Sequence, residues 1–179
     1  MLTRTYTERK KKYKSLQLAD NCLRCGLFEH AQSPNLSMQK LQDGKRGRTL
    51  IVLGTPSQAE DVKKKIGGDS TGSVVKKYMK QYLHDCEVWL TCAVRCYPDQ
   101  HDVKTHEGRW CSSYLKADID EIKPEKVIAM GDIARMVCKE IEQEYESSIH
   151  PLQLKKKALL QSRGRAKTRV RWYTFVYIS

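Results

Sequence analysis

No run in this chain is long and apolar enough to span a bilayer, and residues 1–15 carry many charges without an apolar core. A membrane anchor and a secretory leader are therefore not expected, and a reducing, intracellular, cytoplasmic setting is. The 7 cysteines are an odd number, which in that setting argues against a disulfide framework. Internal repeats are lacking, so a solenoid or a propeller is excluded. Biased composition is confined to three short lysine runs, Lys10–Lys12, Lys63–Lys65 and Lys155–Lys157.

What is present is positive charge. The 33 Lys and Arg residues exceed the 21 Asp and Glu, and 33 − 21 gives +12. The sequence pI is about 9.4. Such an excess suits a polyanionic partner, most simply nucleic acid, because basic side chains gain from releasing the counterions condensed on phosphates. At 179 residues the chain is long enough for one domain, 1–179, with its own core. Residues 1–20 read as a basic, helical arm leading into a turn at Cys22-Leu23-Arg24-Cys25.

Apolar runs alternate with helical patterns. Residues 32–48, with Pro34, Gly44 and Gly47, read as loop. Thr49–Leu53 is a continuous apolar run ending at Gly54, the pattern of a buried parallel strand. Helical spacing covers Ser73–Leu83, Glu87–Val94 is the next strand, and Glu107–Ile122 is a helix stopped by Lys123-Pro124-Glu125. Lys126–Gly131 is a third strand, a helix follows over Ile133–Tyr145, and the aromatic and β-branched run Val170–Ile178 predicts a final strand. This alternation implies an α/β fold with a mostly parallel sheet covered on both faces. Ligands then bind at the carboxyl ends of the strands, where Gly54, Thr91–Cys96 and Gly131 lie.

Four cysteines stand out by spacing. Cys22 and Cys25 form Cys-x2-Cys, and far along the chain Cys96 and Cys111 form Cys-x14-Cys. Thiolates bind soft metals, so the set reads as one site for zinc or an iron–sulfur cluster, closed from distant parts of the chain. Cys86, Cys92 and Cys138 sit in apolar stretches and read as core residues.

Taken in order, these residues resemble a known family. Cys22-x2-Cys25, a strand ending in Gly54 and Pro56 followed by Glu60-Asp61, Thr91-Cys92-Ala93-Val94-Arg95-Cys96-Tyr97-Pro98, Cys111 with Tyr114-Leu115, and Ile122-Lys123-Pro124 before Val127–Ala134 are similar to the iron–sulfur uracil-DNA glycosylases of family 4. The similarity runs from about Asn21 to Cys138. The resemblance implies a three-layer α/β/α sandwich of uracil-DNA glycosylase type, a 4Fe-4S cluster on Cys22, Cys25, Cys96 and Cys111, and DNA as ligand. It also implies a base pocket at Gly54, Thr55, Pro56, Ser57, Thr91 and Cys92, with Glu60 and Asp61 as the candidate catalytic acids.

The same comparison exposes departures. A glycosylase flips the base out of the stack, binds its Watson–Crick edge and stabilises a cationic sugar while water attacks. The family has an acid directly after the strand-end glycine and a glycine after the proline, where this chain has Thr55 and Ser57. It has an asparagine after the strand threonine, where this chain has Cys92, and a thiol cannot present the paired amide pattern that reads uracil. No aromatic residue stands in 65–72 to stack on a flipped base. The family's His-Pro-Ser loop follows the strand matched here to Val170–Ile178. His150-Pro151 precedes that strand and reads as a helix–loop boundary, so the loop is either absent or lies beyond Ser179. Glu60 and Asp61 also read simply as acids favouring a helix N-terminus.

The expected DNA contacts are Lys63, Lys64, Lys65, Lys76 and Lys77 beside the strand ends. Towards the end of the chain they are Lys155, Lys156, Lys157, Arg163, Arg165, Lys167, Arg169 and Arg171. Clustered Lys and Arg position a single or double strand through phosphates without reading sequence. The expected function is an iron–sulfur DNA-binding protein of this superfamily, with base excision lost or altered, acting in replication or repair. Its short, basic, divergent character suits a phage setting beside a DNA polymerase or another replication protein. Two alternatives stand: an active glycosylase on uracil or a damaged base, and a zinc-stabilised module for nucleic acid or protein interaction.

Overall fold

The computed structural model describes residues 5–12, 20–99 and 102–148. The expected strand Val170–Ile178, His150-Pro151 and the basic residues from Lys155 to Arg171 lie outside them. A five-stranded sheet organises the chain: β1 (Gln39–Gln42), β2 (Arg48–Leu53), β3 (Glu87–Cys92), β4 (Lys126–Met130) and β5 (Glu146–Ser148). Their spatial order is β1-β3-β2-β4-β5. β2 pairs in parallel with both β3 and β4, β4 pairs in parallel with β5, and β1 runs antiparallel to β3.

The helices are α1 (Tyr6–Lys12), α2 (Asp20–Cys25), α3 (Gln58–Lys63), α4 (Ser70–Tyr82), α5 (Thr105–Ile122) and α6 (Asp132–Glu140), with a 3₁₀ turn at Leu27–Glu29. They cover both faces of the sheet because successive strand residues point to opposite sides. Ile51 and Leu53 of β2, Leu90 and Cys92 of β3, and Ile128 and Met130 of β4 pack with Val75, Met79 and Leu83 of α4. Leu50, Val52, Val127 and Ala129 pack on the other face with Leu115 and Ile122 of α5 and Val137 and Cys138 of α6. The result is the α/β architecture expected, in three layers. Full burial of each large aliphatic side chain contributes about 1.5–3 kcal/mol.

Four local expectations are corrected. Residues 39–42, read as loop, form β1. As an edge strand it needs one partner and little apolar surface, so its polar Gln-Lys-Leu-Gln sequence gives no strand signal. The Cys22–Cys25 segment is helix α2 rather than a turn. The third expectation was strand out to Val94. Pairing stops at Cys92, although Ala93 N–H and Val94 N–H still donate to Leu53 and Gly54 carbonyls at 2.8 and 2.9 Å. Finally, α6 ends at Glu140, and the short strand β5 occupies 146–148. The stop after α5 falls where the sequence places it: Lys123 takes a left-handed φ of 49° just before Pro124.

Candidate metal centre and strand-end pocket

All four cysteines singled out by spacing line one cavity, together with Asn21, Leu27, Phe28, Val94 and Trp110. Three elements deliver them. Cys22 and Cys25 lie on α2 three residues apart, so they share a helix face. Cys96 sits four residues beyond β3, and Cys111 is on α5. Gly26 ends α2 with φ 76°, and a Cβ there would lie 2.2 Å from the Arg9 guanidinium. That guanidinium donates to the Leu23 and Arg24 carbonyls at 3.3 and 3.2 Å and to Glu29 at 2.8 Å. Arg9 thereby fastens α1 to the end of α2.

Each thiol has its own hydrogen-bond partner. The Tyr114 hydroxyl lies 3.1 Å from Cys22 Sγ, and Arg95 N–H donates to Cys111 Sγ at 3.4 Å. Backbone N–H groups of Leu27 and Asn35 serve Cys25 and Cys96. Burial opposes ionisation more strongly than these donors favour it. It pushes the Cys25 and Cys96 thiols up to about 12 and the Cys111 thiol up to about 11. The Cys25, Cys96 and Cys111 thiols are therefore held in the protonated form unless a cation neutralises their thiolates. Among the described residues no group of three or more His, Cys, Asp or Glu side chains is arranged to hold a metal ion. The thiols share a cavity without closing on a single ion.

Behind the cavity is a polar network that sequence reasoning missed. Arg95 is 8% exposed and Asp118 is 4% exposed, and the two form a salt bridge through Nη2. Arg95 Nη2 also donates to the Tyr114 carbonyl at 3.3 Å, and Nη1 donates to Asn35 Oδ1 at 3.2 Å. The Thr91 hydroxyl donates to Asp118 Oδ2 at 2.7 Å. Arg95 Nε is buried with no partner among the described residues. A signal for this network exists in the sequence. Arg95 directly precedes Cys96, and Cys111, Tyr114 and Asp118 repeat at the spacing of one helix face.

The pocket candidates are brought together at the adjoining strand ends, since Leu53 of β2 faces Cys92 of β3 across the ladder. Gly54 and Pro56 are buried, and Thr55 and Ser57 are half-buried. A Cβ on Gly54 would meet Ile133 of α6 at 3.3 Å. Thr91 is fully buried with its hydroxyl on Asp118, and Cys92 is fully buried in the core against α4. Burial raises the Cys92 thiol well above its ordinary value.

Ser57 caps α3. Its hydroxyl accepts from Glu60 N–H at 3.3 Å while Glu60 Oε2 accepts from Ser57 N–H at 2.9 Å, a reciprocal capping box. Glu60 Oε1 accepts from Gly67 N–H. Asp61 accepts from Gln32 N–H and Ser33 N–H, each at 2.8 Å. Both acids are 1% exposed, and desolvation raises the Glu60 carboxyl above its ordinary value. Lys63, Lys64 and Lys65 follow on the surface, with Lys64 at φ 55° closing the helix, and Lys76 and Lys77 are exposed on α4. No helix among the described residues is long and apolar enough to cross a membrane.

No family model matches the chain. A stretch of 47 residues is 34% identical to a type-5 uracil-DNA glycosylase of Pyrobaculum aerophilum, covering 26% of this chain and 21% of that protein. The match therefore spans about a fifth of the relative's length. It points to the uracil-DNA glycosylase superfamily and agrees with the α/β sheet described above.

Proposed function

We propose that this chain is an iron–sulfur DNA-binding protein of the uracil-DNA glycosylase superfamily whose base excision is lost or altered. The observation that carries the reading is the convergence of Cys22, Cys25, Cys96 and Cys111 on one cavity, each sulfur with a donor of its own. Four thiolates suit a cubane cluster or a zinc ion alike, and the resemblance to the iron–sulfur glycosylases favours the cluster. Cys22 and Cys25 of α2, Cys96 after β3 and Cys111 of α5 would hold such a cluster, and its coordination bonds would tie these three segments together. The exposed lysines of 63–65 and α4 supply phosphate contacts that do not depend on sequence.

The loss of excision is supported by how the pocket is occupied. Thr91 and Cys92 are buried and committed to packing or to Asp118, and both oxygens of Glu60 and of Asp61 accept backbone N–H groups. None of these carboxylate oxygens is left to stabilise a sugar cation. The test is visible absorption and metal content on anaerobically purified protein, with uracil release measured on single- and double-stranded DNA from the same preparation. Brown protein with about four irons per chain and no release is the expected result. Brown protein that releases uracil restores the active-glycosylase reading, and colourless zinc protein overturns the cluster.

A further inference from the structure

Three of the four cysteines receive a backbone N–H, and Cys22 alone is served by a side chain, Tyr114. That side chain is held from several directions. The Arg95 guanidinium lies over its ring at 5.0 Å from the centroid, and Arg95 Nη2 donates to the Tyr114 carbonyl at 3.3 Å. Arg95 in turn is fixed by the buried Asp118, by Asn35, and through Asp118 by Thr91 at the end of β3. A tyrosine serving only to fill space would need none of this bracing.

From this geometry we infer that Tyr114 is a positioning residue of the metal centre: its hydroxyl donates to Cys22 Sγ and, braced by Arg95, sets how firmly iron is retained and at what potential. The inference rests on the iron–sulfur reading above. A ligating thiolate carries no proton, so in the loaded protein the phenol is the donor. A donor on a ligand sulfur withdraws charge from it. This favours the more negative, reduced state and makes the sulfur a poorer base for the proton that would release it. The chain from Thr91 through Asp118 and Arg95 to Tyr114 also joins the strand-end pocket to the metal centre.

The test compares anaerobically purified wild type, Tyr114→Phe and Tyr114→His. Iron release to a ferrous chelator and the midpoint potential are the readouts, and far-ultraviolet circular dichroism checks the fold. Tyr114→Phe should release iron on the order of ten- to a hundredfold faster, the usual cost of losing a partner behind a metal ligand, and its potential should move negative. Tyr114→His, which offers a ring N–H, should recover part of both. A brown wild type with a Phe variant matching it in rate and potential overturns this inference alone, whereas a wild type without iron overturns the cluster reading. Should the Phe variant not fold, Arg95→Lys decides. It keeps the charge but loses the planar guanidinium, and wild-type release and potential there overturn the inference.

Discussion

The cysteine cavity and the neighbouring strand-end residues 54–57, Thr91 and Cys92 treat their polar groups in opposite ways. In the cavity each sulfur has a hydrogen-bond partner and still faces a shared space. In the pocket Thr91, Glu60 and Asp61 are saturated by partners inside the protein, and Cys92 is packed in the core. A group retained for a ligand keeps an open valence, whereas a group whose partners are all internal has become part of the scaffold. By that criterion the cysteine cavity is left open to a ligand, and the groups at the strand ends are part of the scaffold.

The strongest way to break this contrast is at the cavity. If the four thiols hold a metal as proposed, Cys111→Ala removes a ligand from the middle of α5, and loss of a structural metal belongs to the rare substitutions costing more than about 4 kcal/mol. At about 2–4 °C per kcal/mol for a domain of this size, the melting temperature should fall by about 8–16 °C, with iron lost. A variant that melts with the wild type and keeps its iron would show that the four thiols are not one centre.

The pocket is the converse case, where adding catalytic groups should not help. Thr55→Glu with Cys92→Asn restores the family's acid and amide. Cys92 is fully buried among Leu53, Leu90 and Met130, so an amide there lacks partners and should cost about 1–3 kcal/mol. Denaturant unfolding should show that loss, and uracil release should stay at the parent's level. Release above that level would mean the pocket has decayed only at two positions and can still admit a base.

Glu60 gives a pH test of the same saturation. Desolvation raises its carboxyl in the fold, so the folded state favours the protonated form. Its stabilising contribution is fully present below the ordinary value of 4.5 and declines as pH rises through the higher folded value. Glu60→Gln cannot titrate, so its deficit relative to wild type should be largest in acid and shrink towards neutrality. A deficit that grows with pH would mean the carboxylate is stabilised where it stands and is available as an acid–base group.

The sheet and the meeting of the four cysteines in one cavity were legible because their signals are strong. The strands β2, β3 and β4 are buried on both faces and read as continuous apolar runs, and four cysteines in order are rarely accidental. The strands β1 and β5, each paired on one side among the described residues, were not legible, since one-sided pairing asks little of side chains. The saturation of Glu60 and Asp61 was hidden for a different reason. Their partners, Ser33 and Gly67, are backbone N–H groups, which carry no residue type to read. Tyr114 and Asp118 had a helical spacing with Cys111, and Arg95 stood next to Cys96, but none had chemistry of its own until Cys22 was placed against Tyr114.

The smallest expected effect concerns the surface beside the pocket, where the scaffold reading predicts phosphate contacts without base readout. Lys63→Gln and Lys64→Gln remove exposed charges and should change stability by no more than about 0.5 kcal/mol. If each lysine meets a phosphate, each substitution should lower the slope of log affinity against log salt by about 1. The loss should be equal for uracil-containing and ordinary DNA. Lys63 is the sterner test, because its Nζ also donates to the Gly68 carbonyl at 3.1 Å, and that bond competes with a phosphate. A slope change at Lys64 without one at Lys63 would assign Lys63 to bracing the 65–68 loop. A loss confined to uracil-containing DNA would return the pocket to the class of sites that still read a base.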